Sequence, residues 1–135
     1  MKKYLNISLI YAILAMAGGV FYREFTKFNE FTEATILGKV HTHFFLLGMV
    51  VFWITALFAA QKNLEEIKTF KVFMWIYNIG VPLTGVMMVV RGIPQVLVVS
   101  LSDGFSAAIS GIAGIGHILT GIGIVLLILS FKKTV

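Results

Sequence analysis

An all-α integral membrane protein of four transmembrane helices is the fold this sequence predicts, and three observations predict it. The mean hydropathy is +0.95. Only 13% of the 135 residues are charged, where soluble domains carry about a quarter. Four apolar runs, each long enough to cross a bilayer, alternate with short stretches that hold most of the Lys, Arg, Asp and Glu. Residues 1–135 therefore read as a single four-helix transmembrane domain, with spans at about 4–22, 36–60, 70–90 and 107–131.

Span one follows Lys2 and Lys3 and closes on Phe21 and Tyr22, an aromatic belt at the membrane surface. Ala15-Met16-Ala17 resembles a leader-peptide cleavage triplet, yet the segment is read as a retained span. Between Arg23 and Thr35, Phe25, Phe28 and Phe31 recur every three residues among charges. That pattern fits a short amphipathic helix in the interface as well as it fits a solvated linker. Span two is long enough to cross with tilt. A polar loop from Gln61 to Lys71 leads to span three, which contains Asn78 and Pro82. Pro82 lacks the N–H that would bond the Asn78 carbonyl, so a kink is expected. Asn78 and Thr84 are candidates for hydrogen bonds between helices. Gly92 and Pro94 are expected to end span three, and span four stops at Lys132-Lys133.

The charge bias sets the orientation. With four spans, both termini and the middle loop share one side. That side holds seven cations, Lys2, Lys3, Lys62, Lys68, Lys71, Lys132 and Lys133. The other holds four, Arg23, Lys27, Lys39 and Arg91. The positive-inside rule places both termini in the cytoplasm, in a multi-pass protein of a bacterial cytoplasmic membrane. The net charge of +5 then reflects this bias, and no nucleic-acid partner is implied. No cysteine is present, so disulfides and thiolate metal sites are excluded.

The three histidines, His41, His43 and His117, all fall within spans. Ionisable groups in a bilayer core are costly and usually face a protein interior and a partner. Successive helical residues turn by about 100°, so His41 and His43 point roughly 200° apart and cannot share one ion from one helix. The His41 face continues through Phe44, Phe45, Gly48 and Phe52, and the His43 face through Leu46, Leu47, Val50 and Ile54. Flat apolar walls broken by Gly48 suit a porphyrin edge or a closely packed helix. His117 shares its face with Ser110, Ala113, Gly114, Thr120 and Gly121, small residues that admit either a neighbouring helix or a cofactor. Haem b needs axial ligands, an apolar slot and cations for its propionates. Lys39 and Arg91 sit at the right level, Arg91 the better match because its fork fits a carboxylate. A haem-binding protein with electron-transfer, haem-handling or gas-sensing roles is thus one reading. A membrane assembly or immunity module with histidines as interhelical glue is another, and a zinc or copper protein a third.

The stretch His41-Thr42-His43-Phe44-Phe45-Leu46-Leu47-Gly48-Met49-Val50-Val51-Phe52 resembles the His-x-His helix in the catalytic subunit of haem–copper oxidases. In that family the two histidines ligate two different haems, one on each face. The twelve spans of that subunit form three four-helix arcs, and the His-x-His helix is the second of its arc, as here. The resemblance implies haem ligation by His41 and His43, propionate binding by Arg91 ahead of Gly92-Ile93-Pro94, and a homotrimer that supplies twelve spans. His41 of one copy and His43 of the next would then share a haem. The alternative is one haem within each bundle, held by His117 and either His41 or His43. The oxidase copper-site histidines and their tyrosine partner have no counterparts in the chain, so full oxygen reduction is not implied, and the redox partner is unspecified. Along most of its length the chain also resembles a family of small, functionally uncharacterised bacterial four-helix membrane proteins.

Overall fold

Hydrophobic length alone dictates the architecture, because a backbone in lipid satisfies its polar groups only as a helix or a closed barrel. A computed structural model describes residues 1–134. It contains α1 (Lys2–Phe28), α2 (Ile36–Gln61), α3 (Lys68–Val96) and α4 (Asp103–Lys132), all four long and apolar enough to cross a membrane. The protein is therefore a multi-pass membrane protein with all-helical spans. A short 3₁₀ turn at Leu64–Glu66 joins α2 to α3. Thr35 caps the start of α2 by accepting from the Leu37 amide, and Ser102 caps α4 by accepting from the Phe105 amide.

The helices pack in chain order, α1 chiefly on α2, α2 on α3, and α3 most extensively on α4. α3 is the most enclosed: 39% of its apolar window is buried, against 22% for each of the others. Six rings, Tyr4, Tyr11, Phe52, Phe70, Phe73 and Tyr77, form the centre. Glycines set the spacing. Gly80 and Gly116 each face a threonine across the α3–α4 seam, Gly80 against Thr120 and Gly116 against Thr84. Each threonine hydroxyl donates to the carbonyl four residues back, Thr84 to Gly80 and Thr120 to Gly116, so the seam carries no unsatisfied hydroxyl. This is the small-xxx-small packing expected where apolar area provides no driving force between helices.

α2 is not uniform. Ile36–Lys39 winds as 3₁₀, Val40–His43 as α, and Phe44–Val50 as a π-helix before the α form resumes at Val51. The π form loosens the backbone, and neighbouring side chains bond its carbonyls. Tyr77 Oη donates to Leu47 O at 2.7 Å and Ser8 Oγ to Met49 O at 2.9 Å. Gly48 lies against Tyr11, where a Cβ would come within 2.7 Å of the Tyr11 Cβ.

Several boundaries differ from the sequence expectation. α1 runs on to Phe28, so no separate interface helix spans 23–35. The helix ends in a Schellman turn, with Glu30 at φ 51° and Phe31 N bonded to Thr26 O. Gly92 and Pro94 do not end α3, which continues to Val96. Gly92 instead admits Leu37 of α2, and the Schellman turn comes later, at Val98, with φ 55°. Asn78 donates within its own helix, to Met74 O, as Thr84 does to Gly80 O, so neither bridges helices.

Candidate functional site

His43 leaves α2 at the last residue before the helix widens, and it points toward α4. Its ring and that of His117 lie 6.2 Å apart between centroids, with planes at 84°. Each ring is fixed by the carbonyl one turn back in its own helix: His43 Nδ1 to Lys39 O at 3.2 Å and His117 Nδ1 to Ala113 O at 2.8 Å. A carbonyl only accepts, so each Nδ1 carries the proton. In the neutral ring this leaves each Nε2 with its lone pair. Backbone anchoring of the far nitrogen is how ligating histidines are usually oriented.

The two rings share a cleft of about 310 Å³ with Lys39, Arg91, Met87 and Met88. α2 and α4 form its walls and α3 its floor. Arg91 Nη2 reaches across to α4, donating to Ser110 Oγ at 2.5 Å and to Ser106 O at 3.4 Å. Among the described residues the only ion pair is Arg23–Glu24, so neither Lys39 nor Arg91 has a carboxylate partner. Two uncompensated cations therefore stand beside two imidazoles in an otherwise apolar setting. On α4, Gly114 and Gly121 flank His117 by one turn on either side. A Cβ at either would meet nothing within 4 Å, so the face around the ring is open.

Four of the six residues singled out from sequence thus come together: Lys39, His43, Arg91 and His117. The other two do not join them. His41 turns to the opposite side, as the 100° rotation requires, and faces Gly19 of α1, where an added Cβ would lie 3.6 Å from the ring. Its Nδ1 is buried with no hydrogen-bond partner. Gly48 serves the approach of α1 through Tyr11 and does not line the cleft. Met87 and Met88 were missed in the sequence reading. They lie four and three residues before Arg91, so a projection of α3 through Arg91 would have placed them on its face.

The side chains brought together are of the kinds that haem b needs. Two imidazole nitrogens on opposite sides of one transition-metal ion, each about 2 Å away, put their ring centres roughly 6 Å apart. The tautomers offer Nε2, the cations suit carboxylates, and the glycines leave room beside His117. A compact ion site with three or more His, Cys, Asp or Glu ligands is not found among the described residues.

No curated protein and no solved structure matches the chain, so the comparisons give no support to the expected likeness to the oxidase helix. The family described as protein of unknown function (DUF2871) matches residues 1–134, nearly the whole of the four-helix domain. The chain is therefore a member of the DUF2871 family, and its clearest chemical feature is the cleft that joins His43 to His117.

Proposed function

We propose that the protein binds haem b in the membrane, with His43 and His117 as axial ligands and Arg91 and Lys39 at the propionates. The observation that carries this reading is the 6.2 Å spacing of two imidazoles whose Nδ1 atoms are both held by their own backbones. Bound haem b supplies a one-electron iron couple. The protein's part is to present both Nε2 lone pairs without reorganisation, since the Lys39 and Ala113 carbonyls fix ring orientation and raise ligand basicity. Arg91 is steadied by Ser110 and keeps further N–H donors for a carboxylate. Ile36, Met87, Met88 and Ala113 would give a bound haem its apolar contacts in the cleft.

The one-haem-per-bundle arrangement follows from this ligand pair, and electron transfer or haem handling is the role. Both termini lie in the cytoplasm, by the excess of Lys at that end, with the cleft toward the outer half of a bacterial cytoplasmic membrane. The open α4 face around His117 favours a homo-oligomer.

The test is the visible spectrum of the purified protein, oxidised and reduced, with and without carbon monoxide. A Soret band is expected in the wild type and in His41→Ala, and its loss in His43→Ala and His117→Ala. Absence of the band after haem supplementation overturns the reading. Loss in His41→Ala would instead support the shared-haem oligomer that the oxidase likeness implies.

One observation favours a second reading. Met87 and Met88 beside two imidazoles make a soft N,S donor set, which selects Cu(I). Elemental analysis that finds stoichiometric copper and no iron would decide for it.

A further inference from the structure

At the end of the bundle that carries both termini, α1 and α3 part around a cleft of about 420 Å³. Its floor is apolar. Tyr4 and Phe70 meet there edge to face at 5.7 Å, and Tyr4 Oη donates to Glu65 Oε1 at 2.9 Å, which seals the floor toward the loop. Its rim carries Lys3 from α1 and Lys71 from α3, both exposed. Neither lysine has an ion-pair partner among the described residues. Trp75 lines the cleft one turn below Lys71 and is 74% exposed, as an indole at a membrane surface would be.

We infer that this cleft is a binding site for an anionic phospholipid, its phosphate between Lys3 and Lys71 and an acyl chain running along Trp75. Charge and depth together select that occupant. The rim offers two ammonium groups against the single carboxylate of Glu65, whose oxygen is already engaged by Tyr4. The wall below is hydrocarbon and indole, which a free phosphate ion does not use. Further along the same face of α3 come Ile79, 53% exposed, and Pro82, which lines a second cleft of about 320 Å³ with Tyr11 and Leu14 of α1. Pro82 lies about 16 Å beyond Lys71 at 1.5 Å per residue, close to the depth of one leaflet. Headgroup cations, interfacial indole and apolar cleft therefore follow one another at the spacing of a lipid. The site is independent of the haem reading.

Native mass spectrometry of the delipidated full-length protein in detergent tests it, with phosphatidylglycerol, phosphatidylcholine and inorganic phosphate as probes. One phosphatidylglycerol should bind in preference to phosphatidylcholine, and millimolar phosphate should not displace it. Lys3→Gln with Lys71→Gln should weaken binding about thirtyfold, from about a fivefold loss per lysine. Trp75→Ala should weaken it through the wall without touching charge. Lys132→Gln with Lys133→Gln, at the same end but outside the cleft, should leave it unchanged. Equal loss in that control pair, equal binding of phosphatidylcholine, displacement by phosphate, or undiminished binding in the Lys3/Lys71 variant overturns the proposal. Circular dichroism and elution volume confirm that each variant is folded.

Discussion

Gly48→Ala is the substitution that tests the unusual middle of α2. A methyl group there would lie 2.7 Å from the Tyr11 Cβ and closer still to its ring. The ring cannot swing aside, because it stacks on Phe52 at 5.8 Å and leans on Phe44 at 5.9 Å. A normal carbon–carbon contact is about 3.5–4.0 Å, so α1 or the π segment must shift by about 1 Å. Overpacking of this kind costs about 1–3 kcal/mol. The gain in helix propensity from Gly to Ala offsets up to about 1 kcal/mol in a regular helix and less in a π segment. The net loss should be about 1–2 kcal/mol, or a fall in Tm of several degrees for a domain of this size. The second consequence is chemical. The π segment starts at Phe44, directly after His43, so relaxing it toward the α form rotates His43 away from His117. Thermal circular dichroism in detergent reads the first effect, and haem occupancy reads the second. Gly111→Ala is the control, since its Cβ would meet nothing within 4 Å. A Gly48→Ala protein as stable as the wild type, with His43 chemistry intact, would refute both the packing of Tyr11 and the coupling of the π segment to the cleft.

Other substitutions separate packing from site. Val98 holds a left-handed conformation at φ 55° with its side chain 84% exposed, so Val98→Gly should stabilise by about 1 kcal/mol and raise Tm. Gly80→Ala places a methyl 2.7 Å from the Thr120 amide nitrogen, on backbone that cannot fold away, and should loosen the α3–α4 seam, read as faster proteolysis. Tyr77→Phe removes the donor to Leu47 O and should cost about 1 kcal/mol by thermal melting, with a changed haem spectrum if the π form aims His43. Gly114→Leu fills the open face one turn from His117 and should lower haem content while leaving helicity unchanged.

The four spans were legible because membrane hydropathy is a property of composition over some twenty residues, and neighbours hardly alter it. The ends were less legible. Gly92 and Pro94 read as a stop, but Gly92 is small because Leu37 presses on it, and Pro94 in the last turn removes a single backbone bond. The π segment is invisible in sequence for a similar reason. Nothing in Phe44–Val50 demands it locally; its carbonyls are taken up by Ser8 and Tyr77, residues remote in the chain.

The divergence of His41 and His43 was readable from helical rotation alone, and the structure places them on opposite sides of α2. What rotation could not say is which side holds a partner. That depends on packing order: α1 covers the His41 side, while α3 and α4 leave the His43 side as a cleft. The two rings show the difference in their hydrogen bonds. His43 and His117 both return Nδ1 to a carbonyl of their own helix, which frees Nε2 for a ligand. His41, facing Gly19, has its Nδ1 buried and unpaired, at a cost of about 1–3 kcal/mol. A histidine that served only as interhelical glue would have that nitrogen bonded to its neighbour. The unpaired nitrogen leaves His41 without the interhelical bond that a glue role would need, and the carbonyl anchoring of His43 and His117 is the orientation that the proposed ligation would use.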